Sequence, residues 1–152
     1  MIKFSDLQPH PSIPEYHVQN ADTSVLLVDI AAQLNNSLMR YKLPVKVNYG
    51  AIRSRSVFNP TTQKCVTIEN AKNNYYKYCI TARSQGRVAL VATYVFGRES
   101  AGSAAPLLTW TENAELSADF SKLPDAKREN IRDETEYYSI LNRCITSVLA
   151  AL

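Results

Sequence analysis

The stretch YYKYCITARSQGRVALVATYVF, residues 75–96, decides the fold that this sequence predicts. Its tyrosines, valines, threonines and isoleucine are residue types that favour a pleated surface. A turn at Ser84-Gln85-Gly86 divides the stretch into two strands, which we expect to pair as an antiparallel hairpin. Apolar residues occupy both alternating sets of the second strand, which is typical of a central strand. The stretch predicts a fold and contains no group of residues that indicates a reaction.

Length and cysteine usage bound the class of protein. A chain of 152 residues predicts a single domain that is long enough to bury a core. The three cysteines lack CxxC spacing, so we expect reduced, apolar side chains in an intracellular compartment. No apolar run reaches the ~20 residues of a membrane span, and residues 1–17 lack the apolar core of a secretory signal. We therefore expect a cytoplasmic protein or a virion component that is neither membrane-bound nor secreted through a signal peptide.

Prolines set the first 20 residues apart. Pro9, Pro11 and Pro14 are spaced so that neither a helix nor a central strand can form. We expect residues 1–20 to be an extended N-terminal arm, either flexible or docked on a neighbouring subunit. Residues 21–152 are expected to form a single α+β domain.

Two amphipathic helices flank the predicted strands. Asp22-Thr23-Ser24 supplies capping oxygens for a helix that begins at about Thr23. Its apolar stripe contains Leu27, Ile30, Leu34, Leu38 and Tyr41. Towards the C-terminus, Pro124 predicts a short helix, and the capping box Asp133 to Glu136 predicts the start of a second, longer one. We expect both the first and the last helix to cover one face of a sheet.

The strands complete the predicted architecture, and they are expected at Val45–Tyr49, Ala51–Phe58, Cys65–Glu69, the two halves of the hairpin and an edge strand at Leu107–Thr111, with a bend at Gly50. The fold class is α+β. An antiparallel sheet of four to six strands carries an N-terminal and a long C-terminal amphipathic helix on one face, preceded by the proline-rich extended arm. This layout is similar to that of several small phage neck and tail-completion proteins, a similarity of layout alone.

The charges are unevenly distributed along the chain. Residues 39–98 contain eleven Lys and Arg and one acid, Glu69. Residues 99–136 contain nine acids and four bases. Such asymmetry carries information about partners rather than about fold.

Catalytic and metal-binding patterns are missing from the sequence. His10 and His17 are its two histidines, and their spacing matches no metal site, so we expect solvated or interface side chains. The acids between Glu112 and Asp125 are expected to be solvated. The sequence contains no Walker, GxGxxG, HExxH or GxSxG motif. We therefore predict a protein that is not an enzyme and has no cofactor or metal.

The leading hypothesis is a non-enzymatic interaction module that acts as a structural subunit of a larger protein assembly. We expect a protein partner or a homo-oligomer in which the basic sheet of one protomer meets the acidic segment of the next. The candidate interaction residues are Arg53, Arg55, Lys77, Arg83, Arg87, Glu112 and Glu115.

Two alternatives come from other classes. The first is a small-ligand-binding protein with a cavity between sheet and C-terminal helix, lined by Tyr78, Leu90, Tyr94, Tyr138 and Leu141. The second is nucleic-acid binding through the basic sheet, with the four candidate arginines and one lysine on the face away from the helices. Cross-strand tyrosines also stabilise sheets without any ligand, and a basic surface also suits an acidic protein. Composition does not decide between these classes.

Overall fold

A computed structural model describes residues 2–53, 61–72, 76–97, 122 and 124–152. In chain order its strands and α-helices are β1 (Ile2–Lys3), β2 (Gln8–Pro9), β3 (Tyr16–Gln19), α1 (Thr23–Arg40), β4 (Val45–Arg53), β5 (Thr62–Asn70), β6 (Lys77–Gln85), β7 (Val88–Phe96) and α2 (Asp125–Ala150), and a 3-10 helix spans Phe4–Asp6. The predicted α+β class, with a mostly antiparallel sheet and a C-terminal helix, is confirmed. The described strands form one seven-stranded sheet, because the N-terminal residues add three short strands to the four long ones.

The four long strands form an antiparallel meander in the order β4-β5-β6-β7. Strands β6 and β7 are the predicted hairpin, and Gln85 pairs with Val88 across a two-residue turn. Gly86 begins this turn with a φ of +63°, a backbone conformation that glycine adopts without steric cost. The turn therefore lies slightly later than the sequence predicted, at Gly86-Arg87.

The sheet has two unequal faces. The face that we call inner packs against both helices, and its fully buried side chains include Val66, Tyr78 and Ile80. The face that we call outer carries a smaller apolar cluster of Ile52, Cys65 and Cys79. Residues from the N-terminal segment and β7 pack against that cluster, namely Ile2, Leu7, Tyr94 and Phe96.

Helix α1 forms where the sequence predicts it. The Asp22 carboxylate accepts hydrogen bonds from the backbone N–H groups of Ser24 and Val25 at 2.9 and 3.1 Å, which caps the first turn. Its side chains at spacings of three and four residues enter the core, and the fully buried ones are Ile30, Leu34 and Leu38. Burial of each contributes about 1.5–3 kcal/mol. Tyr41, predicted on this stripe, is instead 60% exposed, because the helix ends at Arg40.

Two predicted boundaries are wrong. Helix α2 is one continuous helix, so Asp133 lies in its interior rather than at a start. Most residues before Asp133 are good helix formers, which lets the first segment run into the second. Strand β4 likewise continues through Gly50, which pairs with Cys65 without a bend. A Cβ atom at Gly50 would lie 3.0 Å from Cγ2 of Thr67, so the glycine provides space.

The proline-rich arm docks on the sheet of its own chain. Strand β1 pairs in parallel with β4, and β2 and β3 pair in antiparallel fashion with β7. The His10 N–H donates to the Thr93 carbonyl at 2.9 Å. Backbone groups alternate along a strand, so Pro9 directs its missing N–H away from β7, and an edge position tolerates it. The predicted strand at 107–111 and residues 54–60 lie outside the described residues.

Candidate protein-interaction edge

Other strands cover the two long edges of the meander to different extents. On the β7 side, β2 and β3 pair with residues from Val88 to Val95, and the Asn20 N–H donates to the Arg87 carbonyl at 2.7 Å. On the β4 side, β1 pairs with Ile52 and Arg53 alone. No described strand pairs with the remainder of β4, residues 45–51, on the side away from β5. We call residues 45–51 the open edge.

Hydrogen-bond direction along the open edge follows from the hairpin. A two-residue turn closes on a hydrogen-bonded pair, here Gln85 and Val88. Along each antiparallel pair of strands, residue pairs that are hydrogen-bonded alternate with pairs that are not. Because the registers of β6, β5 and β4 are unbroken, this alternation can be followed from Gln85 and Val88 to β4. Consequently the even-numbered residues of β4 bond to β5, and the odd-numbered residues direct their N–H and C=O groups outwards.

Two backbone contacts agree with this assignment. Pro44 is even-numbered, and its carbonyl accepts from the N–H of Ala71, the residue after β5, at 2.6 Å. The Val45 N–H donates to the Leu43 carbonyl at 2.9 Å instead of to β5. The outward N–H groups of Val47 and Tyr49 therefore lie at the centre of the open edge.

Side chains give the open edge a distinct chemistry on each face. Val45 and Val47 are half-buried against the main core, and Tyr49 follows them on the same face with 61% of its surface exposed. Lys46 and Asn48 are exposed on the outer face. A strand added here would meet valines and a tyrosine on one face and a lysine and an asparagine on the other.

The segment that contains the open edge is positively charged. Residues 40–53 contain Arg40, Lys42, Lys46 and Arg53 and no acid. Glu69 pairs with Lys46 across the ladder, but its carboxylate also lies 3.8 Å from Nζ of Lys77. The open edge therefore favours an acidic partner.

The predicted interaction residues do not all share one face. Lys77 and Arg83 alternate with inner-face residues and lie on the outer face, and exposed Arg87 lies in the hairpin turn. Arg53 is exposed at the end of β4, but its neighbour Ile52 lies in the outer cluster, so Arg53 has the opposite orientation. The expected common basic face is therefore wrong for Arg53. Arg55, Glu112 and Glu115 lie outside the described residues.

A buried polar chain anchors the N-terminal arm. The backbone N–H groups of Ser12 and Ile13 each donate to Nδ1 of His10 at 3.1 Å. The proton of the neutral ring is thus on Nε2, which donates to Oη of Tyr78 at 3.3 Å. The Tyr78 hydroxyl in turn donates to Oδ1 of Asn142 on α2 at 2.6 Å. One chain of hydrogen bonds therefore joins the arm, β6 and α2.

Burial controls the ionisation of this chain. His10 is only 5% exposed, and desolvation lowers its pKa to about 4 despite a hydrogen bond with Asn142 that raises it. Burial also raises the pKa of Tyr78 well above its ordinary value. The expectation of a solvated or interface histidine is wrong for His10, because this part of the arm packs on the inner face, where His10 contacts Tyr78 and Ile13 joins the core. His17 is exposed, with Nε2 3.2 Å from the Glu15 carboxylate.

The proposed ligand cavity does not have its expected lining. Tyr78, Tyr138 and Leu141 are buried on the inner face, where the rings of Tyr78 and Tyr138 stack with centroids 6.1 Å apart. Leu90 and Tyr94 instead lie on the outer face, beside a cleft of about 100 Å³. That volume is below the range of about 300–1,000 Å³ typical of small-molecule pockets. The cleft is lined by Phe4, Glu15, Ile52, Gln63, Thr81, Arg83, Leu90, Ala92 and Tyr94.

All three described cysteines are buried. A hydrogen bond to Cys65, together with burial, raises the pKa of the Cys79 thiol, which disfavours its thiolate. Both thiols lie on the outer face, whereas His10 lies on the inner face. Among the described residues, no three or more histidines, cysteines and acids are grouped as metal ligands. No described helix combines the length and the apolar character needed to cross a bilayer.

Comparison with known proteins adds a distant structural likeness. No protein-family model matches the sequence, and no curated protein matches it. Among solved structures, the chain is similar to the crystal structure of Ara h 8.0201, with 8% sequence identity and a TM-score of 0.26. The alignment covers 93% of this chain and 99% of the other. A likeness at that TM-score carries no argument about fold or function.

Proposed function

We propose that this protein is a non-enzymatic interaction module that acts as a structural subunit of a larger assembly and docks through the open edge of β4. The observation that carries the proposal is the outward direction of the N–H groups of Val47 and Tyr49, which no described strand covers. An extended segment of a partner can add to such an edge, because main-chain hydrogen bonds supply affinity and alternate side chains supply specificity.

The side chains of the open edge define the partner that fits. On the inner face, Val47 and Tyr49 favour apolar residues of the added strand. On the outer face, Lys46 favours an acidic residue, and Arg40 and Lys42 lie just before the strand in sequence. The partner segment is therefore extended and alternates acidic with apolar residues. The segment of a neighbouring protomer that contains Glu112 and Glu115 is acidic and meets the charge requirement, although these two residues are three apart and do not alternate.

A protein strand fits the described charges better than nucleic acid does. Single-stranded nucleic acid is bound in a continuous basic groove with stacking aromatic rings. Here Lys77 and Arg83 lie on the outer face, whereas Arg53 has the opposite orientation. The main-chain groups of an open edge are suited to another main chain.

The proposal can be tested with a synthetic peptide that alternates glutamate and valine. Titration of the isotope-labelled protein, followed by NMR, is expected to shift the amide signals of β4 most strongly. A lysine–valine peptide of equal length is expected to bind more weakly, because Lys46 would face a like charge. Tyr49→Pro removes one outward N–H and is expected to abolish binding of the acidic peptide, whereas Tyr49→Phe keeps that N–H and retains binding.

Three outcomes would contradict this function. Equal binding of the acidic and basic peptides would show that the positive charge of the open edge does not select an acidic partner. Undiminished binding by Tyr49→Pro would show that the main chain of β4 is not the docking element. A labelled oligonucleotide that shifts the same β4 amides at submicromolar concentration, while the acidic peptide does not, would replace the protein partner with nucleic acid.

A further inference from the structure

The solvent face of α1 carries a second surface, separate from the open edge. Val25, Val28 and Met39 are 58%, 54% and 69% exposed, although each is a large apolar residue. Ala32 lies between them and is also exposed. At 100° per residue these four side chains form one stripe on the side of α1 opposite its buried face. Contiguous exposed apolar residues of this kind mark interaction sites more often than isolated ones do.

The spacing of the stripe is that of a helix that packs along another helix. Val25, Val28, Ala32, Asn35 and Met39 recur at alternating intervals of three and four residues. From Val25 to Met39 the stripe extends about 21 Å along the helix axis. Asn35 is its one polar member.

We propose that this stripe packs against the same stripe of a second copy of the chain, in antiparallel orientation and centred on Ala32. The two small Ala32 side chains then meet at the crossing point and allow close approach of the helices. Val25 of each copy contacts Met39 of the second copy, so the larger apolar side chains meet at both ends. This isologous contact goes beyond the proposed function, because it uses neither β4 nor the open edge.

Charges at the ends of α1 favour the antiparallel orientation. With Ala32 at the centre, the end of α1 that carries the N-cap Asp22 lies beside the end of the second copy that carries Arg40 and Lys42. Parallel pairing would instead bring the two acidic ends together and the two basic ends together, which is less favourable. The macrodipoles of two antiparallel helices also attract one another. Complementary ends and an apolar centre thus identify the second copy as the occupant.

Cysteine crosslinking under mild oxidation tests the orientation directly. Ala32→Cys alone is expected to form a covalent dimer. Val25→Cys and Met39→Cys are each expected to crosslink poorly alone but efficiently when mixed. The native cysteines Cys65, Cys79 and Cys144 are buried and do not interfere. Gln33→Cys, exposed on the same helix but off the stripe, is the control and is expected to stay monomeric under denaturing electrophoresis.

Sedimentation of the full chain gives the second readout. Val25→Gln with Met39→Gln is expected to raise the dimer dissociation constant by about tenfold or more, while Gln33→Ala leaves it unchanged. A wild-type protein that stays monomeric over the whole accessible concentration range would overturn the proposal. Crosslinking of Val25→Cys with itself as efficiently as with Met39→Cys would overturn the antiparallel orientation. Tyr49→Pro, which disables the open edge, is expected to leave both readouts unchanged, so this failure is distinguishable from failure of the proposed function.

Discussion

The β7 edge of the meander is paired with strands of the N-terminal arm along most of its length, whereas the β4 edge is paired only at one end. The β7 edge is covered by a folded-back segment that contains three prolines, and its outward carbonyl at Thr93 accepts from the His10 N–H. The β4 edge has no proline in its nine residues and is paired by β1 only at its far end. Natural sheets usually cover, charge or shorten their edges to prevent unwanted association. The β4 edge carries one lysine, Lys46, but it is long and uncovered among the described residues, and a docking function can explain why it is open.

Proline placement shows how the covered edge is closed. Pro9 lies within β2 with its missing N–H directed away from β7, so a further strand cannot obtain a hydrogen bond there. The buried ring of His10 then locks the segment to Tyr78 and, through it, to Asn142. The arm thus covers the β7 edge, and Pro9 blocks further addition beside β2. The four-residue β3 pairs only with β7 among the described strands, so the edge that remains there is shorter than the open edge of β4.

The largest expected effect on stability distinguishes the even-numbered from the odd-numbered residues of β4. Asn48 directs its N–H to β5, so Asn48→Pro is expected to remove a ladder hydrogen bond and destabilise the fold by at least about 3 kcal/mol. Tyr49 directs its N–H outwards, so Tyr49→Pro is expected to cost much less. Urea unfolding of both variants measures the difference. Equal destabilisation by the two prolines would show that β4 is hydrogen-bonded on both sides.

The next effect concerns the buried His10, which holds the arm on the covered edge. His10 has a pKa near 6.5 in the unfolded chain and about 4 in the folded one, so the unfolded state binds more protons between these values. The free energy of unfolding is therefore full above pH 6.5 and falls by about 3 kcal/mol as the pH decreases to 4. Urea unfolding across this range measures the loss. His10→Gln is the matched control and is expected to show a much flatter profile; identical profiles would rule out His10 as the cause.

A smaller effect is expected at the glycine of the open strand. Gly50→Ala places a Cβ 3.0 Å from Cγ2 of Thr67 and 3.3 Å from the Cys65 sulfur, which crowds the outer face. We expect a destabilisation of about 1–3 kcal/mol, measured by thermal unfolding. Ala51→Gly, next to it on the same strand, is the comparison for backbone effects. A more stable Gly50→Ala protein would show that the glycine is not required for space.

The smallest effect on folding is expected for the charge of the open edge. Lys46 is exposed, so Lys46→Glu is expected to change stability by less than about 0.5 kcal/mol. The same change is expected to reverse the preference between the acidic and basic peptides, because the added strand pairs with this side chain. Lys64→Glu on β5 is the matched control, since it is not on the open edge. If Lys46→Glu still binds the acidic peptide more tightly than the basic one, the charge of Lys46 does not determine which partner binds.

Residue patterns predicted the local elements better than their connections. The hairpin, the Asp22 cap and the apolar stripe of α1 depend on neighbours a few residues apart, and each was located from sequence. The position of His10 depends on Tyr78 and Asn142, which lie 68 residues or more away, and no local pattern reports that contact. The open edge was also missed, because edge position is a property of strand order. Its one local signal was a proline-free alternating strand that contained Lys46.

Amide hydrogen exchange of the isolated protein tests the central claim most directly, because it reads each N–H of β4 separately. The account predicts alternation along the open edge. The amides of Lys46, Asn48 and Gly50, which face β5, should exchange slowly, and those of Val47 and Tyr49 should exchange rapidly. Addition of the glutamate–valine peptide should then slow Val47 and Tyr49 and leave Lys46, Asn48 and Gly50 unchanged. Slow exchange of Val47 and Tyr49 in the protein without peptide would show that this edge is already covered and would contradict the account.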